Sequence, residues 1–172
     1  MEPEEEIEIV NARGEVIGRA PRSEIHGNPF LIHRVVHVLV FSPEGKLLLQ
    51  KRSLNKDVAP GKWDTSVGGH VGIGEEPNVS ARREMEEELG IAGHELAYLY
   101  TYTHTNSYET EFVTTYRCTY AGDVSFNRGE IDEVRFWSLR EVEEAVGSGI
   151  LSDNFEQEFR TYLASFLESP PH

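Results

Sequence analysis

The stretch from Gly69 to Ile91, GHVGIGEEPNVSARREMEEELGI, decides how the rest of the chain is read. It runs a glycine-rich loop into a short amphipathic helix. Asn78 or a neighbouring position can open that helix, and Gly90 can end it by taking a left-handed backbone. Glu87 and Glu88 follow Glu84 by three and four positions, so all three carboxylates project to one face. Ala81, Met85 and Leu89 recur every four residues on another face, which can pack inward. Stacked like charges destabilise an exposed helix by roughly a few tenths of a kcal/mol per pair. A bound hard cation would remove that repulsion.

An acidic helix by itself is most often a solvated face, because glutamate is a good helix former. The loop before it changes the reading. Gly68, Gly69, Gly72 and Gly74 let the backbone approach a ligand closely and expose its carbonyls and amides, and Glu75 stands near the loop's end. Carboxylates beside a loop carbonyl make an all-oxygen surrounding that suits Mg²⁺ or Mn²⁺ and not a thiol-loving metal.

Gly69, Glu75, Arg83-Glu84, the apolar Met85, Glu87-Glu88 and Gly90-Ile91 together resemble a complete Nudix box. The resemblance implies an α/β fold, the Nudix α/β/α sandwich with a mixed β-sheet between helices. It also implies hydrolysis of a diphosphate linked to another moiety. On that reading Glu84, Glu87, Glu88 and the Gly69 carbonyl hold the metal, Arg83 orients the acids by ion pairing, and Glu75 supports the loop or the water-activating network. The general base stays open between Glu87, Glu88 and Glu111.

A second resemblance is to the Nudix branch that contains the type I isopentenyl-diphosphate isomerases. It rests on the spacing of His26 and His33, on Pro60-Gly61-Lys62-Trp63, on Ser66-Val67-Gly68-Gly69-His70, and on Glu109-Thr110-Glu111. It implies a second divalent-metal site from His26, His33, His70, Glu109 and Glu111, with Glu111 also taking part in proton transfer. By residue type alone the cluster could take Mn²⁺, Zn²⁺ or Fe²⁺. One departure weighs on function: the isomerases need a cysteine immediately before the Gly-His pair, and this chain has Gly68, which cannot transfer a proton. Hydrolysis is therefore favoured over isomerisation. The alternatives are an isomerase-type enzyme and a non-catalytic metal- or nucleotide-binding module. Lys51, Arg52 and Lys56 are candidates for binding outer phosphates, and Trp63 for shaping the substrate pocket. Tyr102, Tyr108 and Phe112 are further aromatic candidates. The leaving group stays open among nucleoside diphosphate derivatives, dinucleotides and small non-nucleotide diphosphates.

At 172 residues the chain is long enough for one domain with a substantial core. The expectation is a single Nudix domain over residues 1–172, with residues 1–6 flexible and the core spanning roughly residues 31–168. Thirty acids against 16 Lys and Arg give a net charge of −14. That disfavours a nucleic-acid polymer as partner, which needs a basic surface, but not a small phosphorylated substrate. Cys118 is the one cysteine, so neither an internal disulfide nor a Cys-rich zinc pattern is available. The acidic start MEPEEEIEIV does not read as a secretory signal, and no apolar run is long enough for a membrane span. The expectation is a cytoplasmic protein without membrane contact, as a monomer or homodimer.

Patterning elsewhere predicts a hairpin from Ile7–Val10 and Glu15–Gly18, and a loop or broken helix over Arg19–Phe30. Strands follow over Leu31–Phe41, Lys46–Arg52, Trp63–Val67, Leu96–Thr103, Glu111–Tyr120 and Glu133–Trp137, with His104–Glu109 as a polar turn. Ser138 caps a helix from Leu139. A last helix over Asp153–Leu167 carries Phe155, Phe159, Tyr162, Leu163 and Phe166 on a broad apolar stripe. Strands interrupted by one helix and followed by two more predict a mixed sheet between helices.

Overall fold

The computed structural model describes residues 4–56 and 58–168. Strand β3 (Ile32–Phe41) is the hub of the sheet. Val36, Val38 and Val40 are buried on one of its faces, Leu39 and Phe41 on the other. A strand apolar on both sides belongs in a sheet covered on both sides. β8 (Thr110–Thr119) runs parallel to β3, from Ile32 opposite Thr110 to Phe41 opposite Thr119. β7 (Ala97–Thr105) pairs antiparallel with β8.

Along its other edge β3 meets β1 (Glu6–Val10) at His33 and β6 (Val67–His70) from Val35 to Val38. β1 continues into its hairpin partner β2 (Val16–Pro21). A second wing is built on β4 (Leu47–Arg52), flanked by β5 (Trp63–Asp64) and β9 (Ile131–Trp137). That wing joins β3 through the pair Phe41 and Leu47, so the mixed sheet curls.

Helix α1 (Arg22–Ile25) is a short turn after β2. α2 (Pro77–Leu89) covers one face of the sheet and buries Ala81, Met85 and Leu89 against Val36, Val38, Val40 and Cys118. Full burial stabilises by roughly 1.5–3 kcal/mol for a side chain such as Met85 or Leu89. It starts at Pro77, whose missing N–H would be unbonded in the first turn anyway. It stops where Gly90 turns left-handed at φ 68°. On the opposite face lie α3 (Leu139–Ala145), opened by a Ser138–Glu141 capping box, and α4 (Asp153–Glu168). Phe155, Phe159 and Tyr162 of α4 pack on Leu39, Phe41 and Leu49. The helices therefore sandwich the sheet, as expected for α/β/α.

Several local expectations are corrected. Phe166 does not join the buried stripe; it is 55% exposed and meets Tyr162 edge-on at 4.8 Å. His104 belongs to β7 and is buried, because pairing with Glu111 prolongs the strand past Thr103. Arg19–Pro21 extend β2 before α1. Of the start expected to be flexible, Glu6 opens β1, and Glu4 accepts from Ser23 N at 2.6 Å and Ser23 Oγ at 3.0 Å. Positions 1–3 lie outside the described residues. Ile7, Val10, Ala20 and Ile25 are buried, so packed interior begins well before residue 31. Among the described residues no helix is long and apolar enough to cross a membrane.

Candidate active site

A cavity of about 410 Å³ lies between β3, β4, β6, the loop after β4 and α2. That is within the range of roughly 300–1,000 Å³ usual for small-ligand sites. Glu84, Glu87 and Glu88 reach it together from one face of α2, as their spacing requires. Arg83 organises them. It donates from Nη2 to Glu75 Oε1 at 2.9 Å and from Nη1 to Glu84 Oε1 at 2.9 Å, with Glu87 Oε2 at 3.6 Å. Ser80 Oγ donates to the same Glu75 oxygen at 2.9 Å. The Arg83 hydrogen bond, then that of Ser80, holds Glu75 below the usual carboxylate range.

Gly69 is required here by close approach. A Cβ at this position would stand 2.6 Å from Glu84 Cγ and Oε1. Glu88 is held by Gln50, whose Nε2 donates to Glu88 Oε1 at 2.8 Å. Burial, opposed by that hydrogen bond and reinforced by the charge of Glu84, pushes Glu88 up to about 8. Burial also raises Glu84. These acids are thus held in a site that disfavours their charge, which is where a cation binds with most gain.

A second cluster joins the same cavity. His26 Nε2 lies 3.3 Å from His70 Nε2, and His33 Nε2 lies 3.8 Å from Glu111 Oε2. Ligand atoms of His26, His33 and His70, and those of His33, Glu109 and Glu111, fall within 4.8 Å of one another. Among the described residues these are the sets that converge so closely. Glu84, Glu87 and Glu88 do not converge that closely. His33 is fully buried and central to both sets, yet neither ring nitrogen makes a well-formed hydrogen bond.

Burial, then the charges of His70 and His26, lowers His33 to about 3, while burial and His26 lower His70 to about 4. Both are therefore in the neutral form that ligates metals. Burial and the charge of Glu109 raise Glu111 to about 8. His33, neutral and without a hydrogen bond at either ring nitrogen, stands with His70 beside two acids penalised by burial, a donor set that a divalent cation satisfies.

The expected substrate-binding residues divide by strand parity. Gln50 and Arg52 face the cavity, so Lys51 between them points to the other side. Trp63 is the cross-strand partner of Lys51, and it is core: 8% exposed, packed edge-on against Trp137 at 5.3 Å. Lys51 and Trp63 are absent from the cavity wall; Arg52 and Lys56 are on it. Of the other aromatics, Tyr102 turns to Glu158 at 3.0 Å, Tyr108 lies 3.4 Å from His26 Nδ1, and Phe112 packs over Gly14.

Pattern reading missed four residues that border or brace the site: His37, Gln50, Asn154 and Glu158. Asn154 Nδ2 donates to Glu111 Oε1 at 2.7 Å, and Glu158 accepts from His37 Nδ1 at 2.7 Å. A signal existed for the last of these. Glu158 is an acid set among Phe155, Phe159 and Tyr162 on the buried face of a helix, where an unpaired charge is not tolerated.

Residues 31–155 match the model of the NUDIX domain. The chain belongs to the Nudix family. At that level its activity is phosphoanhydride hydrolysis. It is 34% identical over 136 residues to the uncharacterized Nudix hydrolase YfcD of Escherichia coli K12, covering 79% of this chain and 75% of that one. Over 86 residues it is 40% identical to an isopentenyl-diphosphate Delta-isomerase of Streptomyces griseus, covering 50% of this Nudix chain and 44% of that protein. The crystal structure of DR0079 from Deinococcus radiodurans superposes with a TM-score of 0.80 at 26% identity, over 91% of this chain and 98% of that one.

Proposed function

We propose that this Nudix protein is a metal-dependent pyrophosphohydrolase that cleaves a phosphoanhydride in a nucleoside diphosphate derivative or another small diphosphate compound. One observation carries the reading: Glu84, Glu87, Glu88 and Gly69 share a single cavity with the cations Arg52 and Lys56. The acids and the Gly69 carbonyl form an oxygen-only set suited to Mg²⁺ or Mn²⁺, which when bound neutralises diphosphate oxygens and acidifies attacking water.

The remaining tasks fall to the chain's own groups. Arg83, locked by Glu75, fixes the direction of Glu84 and Glu87. Gln50 fixes Glu88. Arg52 and Lys56 meet the outer phosphate as positive partners across the cavity. Glu87, Glu88 or Glu111 accepts the proton of the attacking water. In the second cluster His26, His33, His70, Glu109 and Glu111 hold a further divalent metal, with Asn154 orienting Glu111 from outside.

The isomerase reading draws on the histidine cluster and on the likeness to a named isomerase. Gly68 opposes it, since a glycine brings no proton to a double bond. The test is a diphosphate library assayed with Mg²⁺ and Mn²⁺ for release of phosphate or nucleoside monophosphate. Turnover that collapses in Glu87→Gln supports hydrolysis. Binding without turnover makes the chain a non-catalytic module, and isopentenyl diphosphate converted without phosphate release makes it an isomerase.

A further inference from the structure

Glu158 is fully buried, and no step of the proposed hydrolysis calls on it. Its carboxylate accepts from four side chains. His37 Nδ1 lies at 2.7 Å, Tyr102 OH at 3.0 Å and Thr115 Oγ1 at 3.0 Å from Oε1, and Tyr100 OH donates to Oε2. Four donors converging on one carboxylate are the surroundings of its charged, acceptor-only form. The proton between His37 and Glu158 therefore sits on Nδ1. The second ring nitrogen, Nε2, is left for other use.

The fold aims that nitrogen at the cavity. His37 pairs across the sheet with Gly68 on one side and with Thr115 on the other, so its ring stands fixed between two strands. A Cβ at position 68 would lie 3.2 Å from His37 Cδ2 and 3.5 Å from Nε2. Gly68 has no Cβ, and both residues line the cavity. The bare glycine therefore uncovers the Cδ2–Nε2 edge. Burial works against a charge on this ring, yet the hydrogen bond and charge of Glu158, helped by Glu111 and Asp64, hold it up near 9. Stability alone does not account for the arrangement, because a buried ion pair is commonly matched or bettered by apolar side chains of similar volume.

We propose that His37 is a substrate-binding residue whose Nε2–H donates to a phosphate oxygen of the diphosphate, and that Glu158 is its positioning residue. Glu158 holds the ring in its doubly protonated form, so that Nε2 as well as Nδ1 is a donor, and fixes its direction from inside the α4 layer. The inference rests on the proposed reading of the cavity as a diphosphate site and adds a specificity contact on its sheet-side wall. A substrate is then gripped from Arg52 and Lys56 on one side and from His37 on the other.

The test uses the full chain with Mg²⁺ and methylenediphosphonate, whose P–C–P bridge is not hydrolysed. Binding is read by calorimetry, and His37 Nε2 by ¹⁵N NMR of histidine-labelled protein, assigned by its absence in His37→Gln. Binding of the probe to wild type should shift the His37 Nε2 signal. His37→Gln should weaken binding about 10- to 100-fold, the range expected for losing a charge-assisted hydrogen bond. Glu158→Gln should weaken it comparably, and the double variant little further, because both changes remove one contact. If Glu158→Gln does not fold, Gly68→Ala sets a Cβ against the His37 Cδ2–Nε2 edge from the cavity side and should weaken binding while keeping both side chains of the pair.

Probe affinity within twofold of wild type in His37→Gln, or an Nε2 signal unmoved by the probe, overturns the assignment. Diphosphate turnover retained alongside such a result defeats this inference only. A wild-type protein that neither binds the probe nor turns over any diphosphate removes the reading of the cavity and this contact with it.

Discussion

Glu88→Gln is the most informative single perturbation, because structure and function pull it in opposite directions. Glu88 is raised from an ordinary 4.5 to about 8, by burial first and by the Glu84 charge. A folded-state pKa above the unfolded one means that the native protein binds the proton more tightly. Its favourable contribution is complete below about 4.5 and is lost as pH rises through about 8. Glu84 competes for the same proton, and at about 1.4 kcal/mol per pH unit even a rise of one to two units is worth about 2 kcal/mol.

A glutamine cannot ionise and keeps an oxygen for the Gln50 donor. Metal-free Glu88→Gln should thus exceed wild type by about 2 kcal/mol near pH 8, or about 4–8 °C in Tm for a chain of this size. Near pH 4.5 the two should coincide. Saturating Mg²⁺ should reverse the order: a cation at a hundredfold its Kd adds about 2.7 kcal/mol to wild type and much less to the variant. Hydrolysis should fall at least about 100-fold, since an interaction with the metal and the developing charge is lost. The assays are thermal unfolding across pH with and without Mg²⁺, and phosphate release. A metal-free variant less stable than wild type near pH 8, or equal Mg²⁺ gains in both, would refute the reasoning.

Gly69→Ala should abolish most activity while shifting Tm by under about 2 °C, because its Cβ meets the movable end of Glu84 and not backbone; a near-normal kcat would show that Glu84 is not needed where it stands. Asn154→Ala removes the donor to Glu111 and should weaken Mn²⁺ binding about 10- to 100-fold, measured by electron paramagnetic resonance, with unchanged affinity showing that the histidine cluster is not a metal site. Trp63→Phe should lower stability by about 1–3 kcal/mol and leave KM unaltered, as expected of a core residue; a raised KM would return Trp63 to the pocket.

The box over residues 69–91 was legible because its chemistry is local. A helix places Glu84, Glu87 and Glu88 on one face by geometry alone, and Gly90 stops it where a left-handed residue is needed. The cap at Ser138, the mixed sheet between helices and the burial of Cys118 followed from equally short-range rules. What distance in sequence hides was decided only by the tertiary structure. The register of β4 turned Arg52 toward the cavity and Lys51, with Trp63 opposite it, away; periodicity shows that neighbours alternate but not which set faces the site. Parallel pairing of β3 with β8 brought His33 beside Glu111 and His37 beside Thr115, residues more than seventy positions apart in the chain. α4 then laid Asn154 and Glu158 over them. Local propensity can state which face a side chain takes, but a buried charge such as Glu158 acquires its partners only when three separate elements close around it.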